Sequence, residues 1–158
     1  MADIKSQEER SKNMAAIRSR DTKPEVYLRK GLYARGYRYR IATSSVPGHP
    51  DLYLSKYKAA IFVHGCFWHR HEGCKYSYMP KSRVEFWQKK FESNVTRDQT
   101  VQRQLQESGI RCLVIWECAV NQSRKKKWSS DSLFTAVEDF LHSEEMYLEI
   151  STDRILPL

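Results

Sequence analysis

This sequence predicts an α/β fold, with a central mixed β-sheet flanked by helices. Three observations carry that expectation. Apolar residues recur at helical spacing in three separate stretches. Short apolar and aromatic runs, bounded by turn residues, lie between those stretches. The order of these signals is α-β-β-β-α-β-α, which stacks helices on a sheet. At 158 residues the chain is long enough for one domain with a sizeable core.

Each element has its own justification. Residues 1–20 are polar and basic, with Met14 and Ile17 as isolated apolar residues. That is a poor core pattern, and it reads as an arm that gains order from a partner. Residues 21–158 then form a single domain. Thr22-Lys23-Pro24-Glu25 opens the first helix: Thr22 is a good N-cap, Glu25 completes a capping box and Pro24 suits the first turn. Val26, Leu28, Leu32 and Tyr33 give it an apolar face, and Gly36 ends it. Tyr37–Ile41 reads as a strand, and a loop with Pro47 and Gly48 follows. Asp51–Leu54 and Ala59–Val63 read as a hairpin closed by Ser55–Lys58. With the turn centred near Tyr57, Asp51 lies opposite Val63 and His64 one residue beyond. A carboxylate, a backbone carbonyl and an imidazole then converge at the hairpin's open end. Residues 84–107 form the longest helix, with Trp87, Phe91, Val95, Val101 and Leu105 near helical spacing. Asn94 and Asp98 fall on or beside that stripe, and Gly109 ends the helix. Arg111–Glu117 is a buried strand, and Asp131–Leu141 an amphipathic helix carrying Leu133, Phe134, Val137, Phe140 and Leu141 on one side.

Charge narrows the partner. Lys and Arg number 27 against 19 Asp and Glu, a formal net charge of +8. Residues 1–40 carry +6, residues 41–127 carry +8 and residues 128–158 carry −6. A basic body with an acidic C-terminal piece points to a polyanion partner. No apolar run approaches the roughly 18 residues that cross a bilayer. The N-terminus lacks the apolar core of a signal peptide. A cytoplasmic protein without a membrane partner is expected, with its four cysteines reduced and available for metal binding or burial.

The chemistry concentrates in His64-Gly65-Cys66-Phe67-Trp68-His69-Arg70-His71-Glu72-Gly73-Cys74, which holds three of the five histidines and two of the four cysteines. Cys66, His71 and Cys74 have the short spacing of zinc ligands, and a structural zinc takes four N or S donors. Cys112 and Cys118 are the candidates for the fourth. Six residues of strand separate them by roughly 20 Å at about 3.3 Å per residue, so both cannot reach one ion. Cys118 stands where the strand ends and is the choice; Cys112, at its start, packs as a small apolar residue. Four protein ligands leave no open position, so this zinc is structural.

A second constellation is Pro50-Asp51 followed by Phe62-Val63-His64. Many nucleases carry Pro-Asp at a strand start, then an acid, any residue and Lys on the next strand. Here Phe62 stands for the acid and His64 for the Lys. Asp51 and the carbonyl of Val63 still offer the hard oxygen ligands that magnesium wants. Either His64 or His69 can then deprotonate an attacking water, because imidazole titrates near neutral pH. Glu25 is equally well explained by its capping box, and Asp98 by the edge of a helix stripe. A third constellation is aromatic. Phe67 and Trp68 sit beside the metal ligands, and Phe86 and Trp87 open the long helix. Aromatics beside basic residues stack on bases or wedge between them. Phe86 is expected in the core, and at least one of Phe67 and Trp68 at the surface.

Together these residues resemble the very-short-patch repair endonucleases, Vsr. The likeness is carried by His64-Gly65-Cys66-Phe67-Trp68-His69, Glu85-Phe86-Trp87 and Val114-Ile115-Trp116-Glu117-Cys118-Ala119. The arm Arg10-Ser11-Lys12-Asn13-Met14, with Arg20-Asp21-Thr22 and Pro47-Gly48-His49-Pro50-Asp51, adds to it. It runs from about residue 10 to 120. The resemblance implies a fold related to the type II restriction endonucleases. It also implies a magnesium-dependent nick in duplex DNA, 5′ of the thymine of a T·G mismatch left by deamination of 5-methylcytosine. Asp51 then matches the metal-binding carboxylate, Val63 the carbonyl ligand and His69 the catalytic base. Glu25, His64 and Asp98 match the residues around the hydrated metal. Cys66, His71, Cys74 and Cys118 match the zinc ligands. Phe67, Trp68 and Trp87 match an aromatic wedge, and Met14 the wedge from the DNA-binding arm. A functional link to a cytosine-5 DNA methyltransferase and to mismatch-repair proteins is implied, with a monomer acting on the nucleoid. Two departures stand out. One extra residue separates His71 from Cys74, and position 63 is Val where Thr is expected.

Overall fold

The computed structural model of the chain describes residues 21–41, 44–125 and 130–152. The arm of residues 1–20, and Met14 with it, lies outside them. In chain order the elements are helix α1 (Lys23–Ala34), strand β1 (Leu52–Leu54), a 3₁₀ turn (Ser55–Tyr57) and strand β2 (Ala59–His64). Helix α2 (Val84–Glu107), strand β3 (Arg111–Trp116), helices α3 (Glu117–Arg124) and α4 (Ser130–Leu141) and strand β4 (Tyr147–Ile150) complete them. The four strands lie in the order β1-β2-β3-β4. The first pair is antiparallel and the other two are parallel, so the sheet is mixed as expected. Parallel neighbours need long crossovers. Helix α2 makes the first, and α3 with α4 make the second.

The sheet is covered on both faces, and period-2 alternation sorts its side chains. Ala59, Ile61, Leu113 and Ile115 join Leu28 and Leu32 of α1 and the Leu133, Phe134, Val137 and Phe140 row of α4 in one core. Ala60, Phe62, Cys112, Val114 and Trp116 face the other way, against Leu105 of α2. Cys112 is therefore a buried core thiol, pushed up to about 12 chiefly by burial. Among the described residues no helix is long and apolar enough to cross a membrane.

Four local expectations change. Tyr37–Ile41 forms only a single bridge, Arg40 to Tyr53, because β1 is three residues long and offers no ladder to extend. The hairpin register pairs Leu52 with Ile61, one residue away from the alignment expected. A tight 3₁₀ turn, closed by Lys58 in the left-handed region at φ 48°, sets it. The chain after β3 does not enter a loop but begins α3 at Glu117, whose carboxylate suits the first turn of a helix. Strand β4, on the far edge, was not foreseen.

Candidate active site

Parallel pairing creates the site. His64 at the end of β2 lies in register with Trp116 at the end of β3. Cys66 and Cys118 each follow two residues later, so one pairing brings two distant cysteines together. The chain then turns back on itself: the His71 amide donates to the Cys66 carbonyl at 3.0 Å, and that of Cys74 to the His71 carbonyl at 3.2 Å. Glu72 and Gly73 stand exposed in that turn, so the additional residue bulges outward rather than into the cluster. One donor atom from each of Cys66, His71, Cys74 and Cys118 lies within 4.8 Å of all the others. The sulfur of Cys118 is 3.6 Å from Nδ1 of His71. Two ligands of a tetrahedral zinc, bonded at about 2.3 and 2.05 Å, stand roughly 3.6 Å apart. The four residues therefore fit such an ion. A hydrogen bond between the two thiols pushes Cys66 up and pulls Cys118 down, favouring a thiolate at Cys118.

A cavity of about 280 Å³ opens beside this cluster and is lined by Glu25, Asp51, Val63, His64, His69 and Asp98. All five sequence-predicted catalytic side chains thus meet in one place, with the Val63 backbone. Asp51 accepts a 2.6 Å hydrogen bond from the Val63 amide. In an extended strand a residue's N–H and C=O point to the same edge, so the Val63 carbonyl is turned to the side on which Asp51 lies. The Val63 side chain packs into the α1/α4 core instead, which is why an apolar residue serves at this position. Burial, then the neighbouring Glu25 carboxylate, push the Asp51 carboxyl up to about 7 against the pull of the Val63 amide. Two crowded carboxylates of this kind suit a hard divalent cation. Glu25 is 7 % exposed and stands in both of the settings considered for it, the helix cap and the cavity. Its carboxylate accepts from the Asp21 amide at 2.7 Å, within the helix cap, while also facing Asp51.

The imidazoles are fixed by their neighbours. Nδ1 of His69 lies 2.7 Å from Asp98 on α2. The His69 ring stacks on His64 at 3.9 Å and 7°. Burial, then the adjacent His69, push His64 down to about 3, so it is neutral at physiological pH. His64 also makes a T-shaped contact with Trp116 at 5.4 Å, and Trp116 in turn stacks on the candidate metal ligand His71 at 4.3 Å and 8°. The Trp116 indole N–H donates to Glu149 of β4 at 2.8 Å. Sequence reasoning missed this stack, because only the β2/β3 register places the rings together.

The aromatic group also assembles. Phe67 touches Trp68, Trp87, Phe91 and Tyr78 at ring separations of 5.0 to 5.5 Å. Phe67, Trp68 and Trp87 are each part-exposed, over the buried floor of Phe91. Phe86 is 45 % exposed rather than in the core: it stands in the first turn of α2, with its ring against Trp87 and Arg83 rather than the sheet. Asn94, noted on the stripe of α2, is buried and donates to the Trp68 carbonyl at 2.9 Å, so it anchors the aromatic loop. Arg97 and His49 also line this cavity and were not singled out; Arg97 stands one residue from Asp98 and His49 two from Asp51, and neighbourhood is the signal that could have found them.

Comparison with known proteins agrees with this geometry. Residues 2–75 match the family model described as DNA mismatch endonuclease Vsr. The chain is 43 % identical over 118 residues to the type II nicking enzyme V.NmeAIP of Neisseria meningitidis, covering 75 % of this chain and 84 % of that one. It is 40 % identical over 121 residues to V.XorIIP of Xanthomonas oryzae pv. oryzae, covering 77 % and 88 %. The DNA mismatch endonuclease Vsr of Escherichia coli K12 is 39 % identical over 155 residues, which span 98 % of this chain and 97 % of that enzyme. With near full-length identity at that level, the chain belongs to the DNA mismatch endonuclease Vsr family.

Proposed function

We propose that the protein is a magnesium-dependent endonuclease that nicks duplex DNA 5′ of the thymine in a T·G mismatch, the lesion left when 5-methylcytosine deaminates. The observation that carries this reading is the convergence of Asp51, His69 and Asp98 in one cavity beside a part-exposed aromatic cluster.

The residues divide the work. The basic surface loads the protein on DNA through its phosphates. Phe67, Trp68 and Trp87 enter the major groove, and Met14 of the arm enters the minor groove. Unstacking a base step costs a few kcal/mol, and least where pairing is already poor, which selects the mismatch. The Asp51 carboxylate and the Val63 carbonyl, with Glu25 close by, would hold a magnesium ion, which would supply positive charge against the scissile phosphate. His69 takes the proton of the attacking water on Nε2, since Nδ1 donates to Asp98. Asp98 fixes the ring and offsets the charge it acquires. Neutral His64, stacked on the ring, adds no repulsion. In-line attack leaves 5′-phosphate and 3′-hydroxyl ends. Cys66, His71, Cys74 and Cys118 would hold a structural zinc, which would stiffen the loop carrying Phe67, Trp68 and His69.

On this reading the protein works in the cytoplasm, on the nucleoid. It acts as a monomer, since one strand is cut at one cavity. It is linked in function to a cytosine-5 DNA methyltransferase and to mismatch-repair proteins. The test is a panel of labelled duplexes, each with one mismatch in varied flanking sequence, incubated with magnesium. Nicks confined to T·G duplexes are expected. Nicks at several mismatches would replace this reading with a broader nicking enzyme, and binding without any nick with a silent DNA-binding module.

A further inference from the structure

We propose that Tyr78 is a further DNA-stacking residue that extends the wedge of Phe67, Trp68 and Trp87, and that Arg70 is the clamp that holds it there. The proposal rests on the duplex-DNA reading above, and the ligand is a base-pair step at or beside the mismatch.

Tyr78 is 62 % exposed, the most open of the large apolar side chains in the described residues. An exposed aromatic on a loop would ordinarily sample many positions. This one is tied down. Its ring lies 5.0 Å from Phe67, tilted by 41°. The guanidinium of Arg70 donates to the Tyr78 carbonyl at 3.0 Å, to that of Ser77 at 3.0 Å and to that of Phe67 at 3.1 Å. One side chain therefore holds the backbone of both partners in the ring contact. The guanidinium carbon itself lies over the buried Phe91 ring, 3.9 Å from its centroid. Arg70 keeps a left-handed backbone at φ 56° to do this. Strain in a residue without glycine's freedom persists where surrounding structure demands it, and it gathers at ligand-binding segments.

The surroundings say what the ligand is. Tyr76, Met79 and Phe86 are exposed on the same stretch as Tyr78, interleaved with Lys75, Lys81 and Arg83. The Lys75 ammonium lies 5.1 Å from the Tyr76 ring, and Arg83 4.5 Å from that of Phe86. A surface that offers flat apolar faces and positive charge together suits a polyanion whose own faces are flat, namely nucleic acid. The patch is continuous with the wedge, so wedge and patch meet one ligand. Phe91 gives this cluster a buried floor, while Tyr78 forms its outer rim.

The test uses the zinc-loaded full-length protein, without added magnesium so that no strand is cut. Its substrate is a T·G duplex with 2-aminopurine beside the mismatch, a base whose fluorescence rises when it is unstacked. Tyr78→Ala is expected to bind this duplex about tenfold more weakly and to lose most of the fluorescence rise. Tyr78→Phe is expected to match the wild type, because the ring and not the hydroxyl stacks. Tyr78→Leu, which keeps bulk without an aromatic face, is expected to follow Tyr78→Ala and guards against a poorly folded alanine variant. The slope of affinity against salt is expected to stay unchanged in all three, since no phosphate contact is removed. Wild-type binding and fluorescence in both Tyr78→Ala and Tyr78→Leu would overturn the proposal and leave the patch to a protein partner. Loss in Tyr78→Phe equal to that in Tyr78→Ala would overturn it too. A parallel Phe67→Ala variant separates the two levels. If it abolishes the fluorescence rise while Tyr78→Ala does not, only the extension fails. If neither variant alters it, the wedge reading itself fails.

Discussion

Replacing Asp51 by Asn should abolish nicking and yet make the protein more stable. The Asp51 carboxyl accepts the Val63 amide, which favours its charged form, but burial and Glu25 outweigh that bond and push it from 3.8 up to about 7. A proton held more tightly in the folded state than in the unfolded chain stabilises the fold while it is bound. That stabilisation is complete below about pH 4 and is lost as the pH rises to about 7. Above pH 7 the folded protein carries the whole cost of a confined charge. About three units at about 1.4 kcal/mol each set a ceiling near 4 kcal/mol. Asp51 still has some solvent access, which screens the charge and brings the expected figure to about 2 kcal/mol. Asn keeps the shape and an oxygen for the Val63 amide, and carries no charge.

The assay is thermal unfolding of both proteins across pH 4 to 8, in magnesium-free buffer without a chelator that would strip the zinc. At pH 8 the Asp51→Asn midpoint should lie about 4–8 °C above wild type. The gap should close toward pH 4. Magnesium at pH 8 should raise the wild-type midpoint and leave the variant unmoved. An Asn variant less stable than wild type at pH 8, or a gap independent of pH, would refute the reasoning that burial confines a charge here. A variant that still nicks would remove Asp51 from the proposed chemistry.

His69→Ala should lower the single-turnover nicking rate by about 10²–10⁴, the share of a general base, while leaving mismatch affinity in a gel-shift assay unchanged. Cys66→Ser should lose zinc by elemental analysis and unfold the loop from Cys66 to Cys74, since structural metal sites supply folding free energy; a folded, metal-free and active variant would sink the zinc assignment. Gly48→Ala should cost about 1–3 kcal/mol and slow nicking, because φ there is 82° and the new Cβ would stand 2.3 Å from a Val101 methyl carbon, shifting the loop that delivers Asp51. Adding Val101→Ala should recover the clash portion and not the backbone portion, a difference that denaturant unfolding measures.

Elements with a strong period were legible in the sequence. The Thr22 cap, the α2 stripe and the α4 row each appear where their spacing put them, because helical periodicity is a local property. Elements defined by distant contacts were not. Strand β4 is four residues long and exists only because Tyr147–Ile150 pairs with β3. Helix α3 is eight residues, too short to announce itself by period. Tyr37 reads as strand by composition, but its hydroxyl donates to Glu138 of α4 at 2.9 Å and its ring packs in the core between the helices. The site divides in the same way. Metal-ligand spacing and the Pro50-Asp51 pair are readable one after another along the chain. The Glu25–Asp51 pair, the His69–Asp98 bond and the Arg70 clamp join residues that only the folded chain brings together.

That division explains why metal ligands and histidines alternate in one short segment. In the proposed zinc site Cys66, His71 and Cys74 would hold their loop at three points, and His69 lies between the first and the second. A cavity-lining imidazole on an untethered loop would have to be ordered at the moment of reaction, at a cost of roughly 1–2 kcal/mol for each residue fixed. A zinc bound by these residues would supply that order before DNA arrives. It also reaches further than the backbone. His71 stacks on Trp116, Trp116 and His64 make a T-shaped contact, and His64 stacks on His69, so ring contacts link the candidate metal cluster to the proposed base. Glu149 holds the indole at the centre of that row. Packed rings do not slide past one another independently. Trp116 thus stands between His71 of the proposed zinc site and the His64–His69 stack, and on the proposed function a zinc that stiffened this loop would also help to position His69.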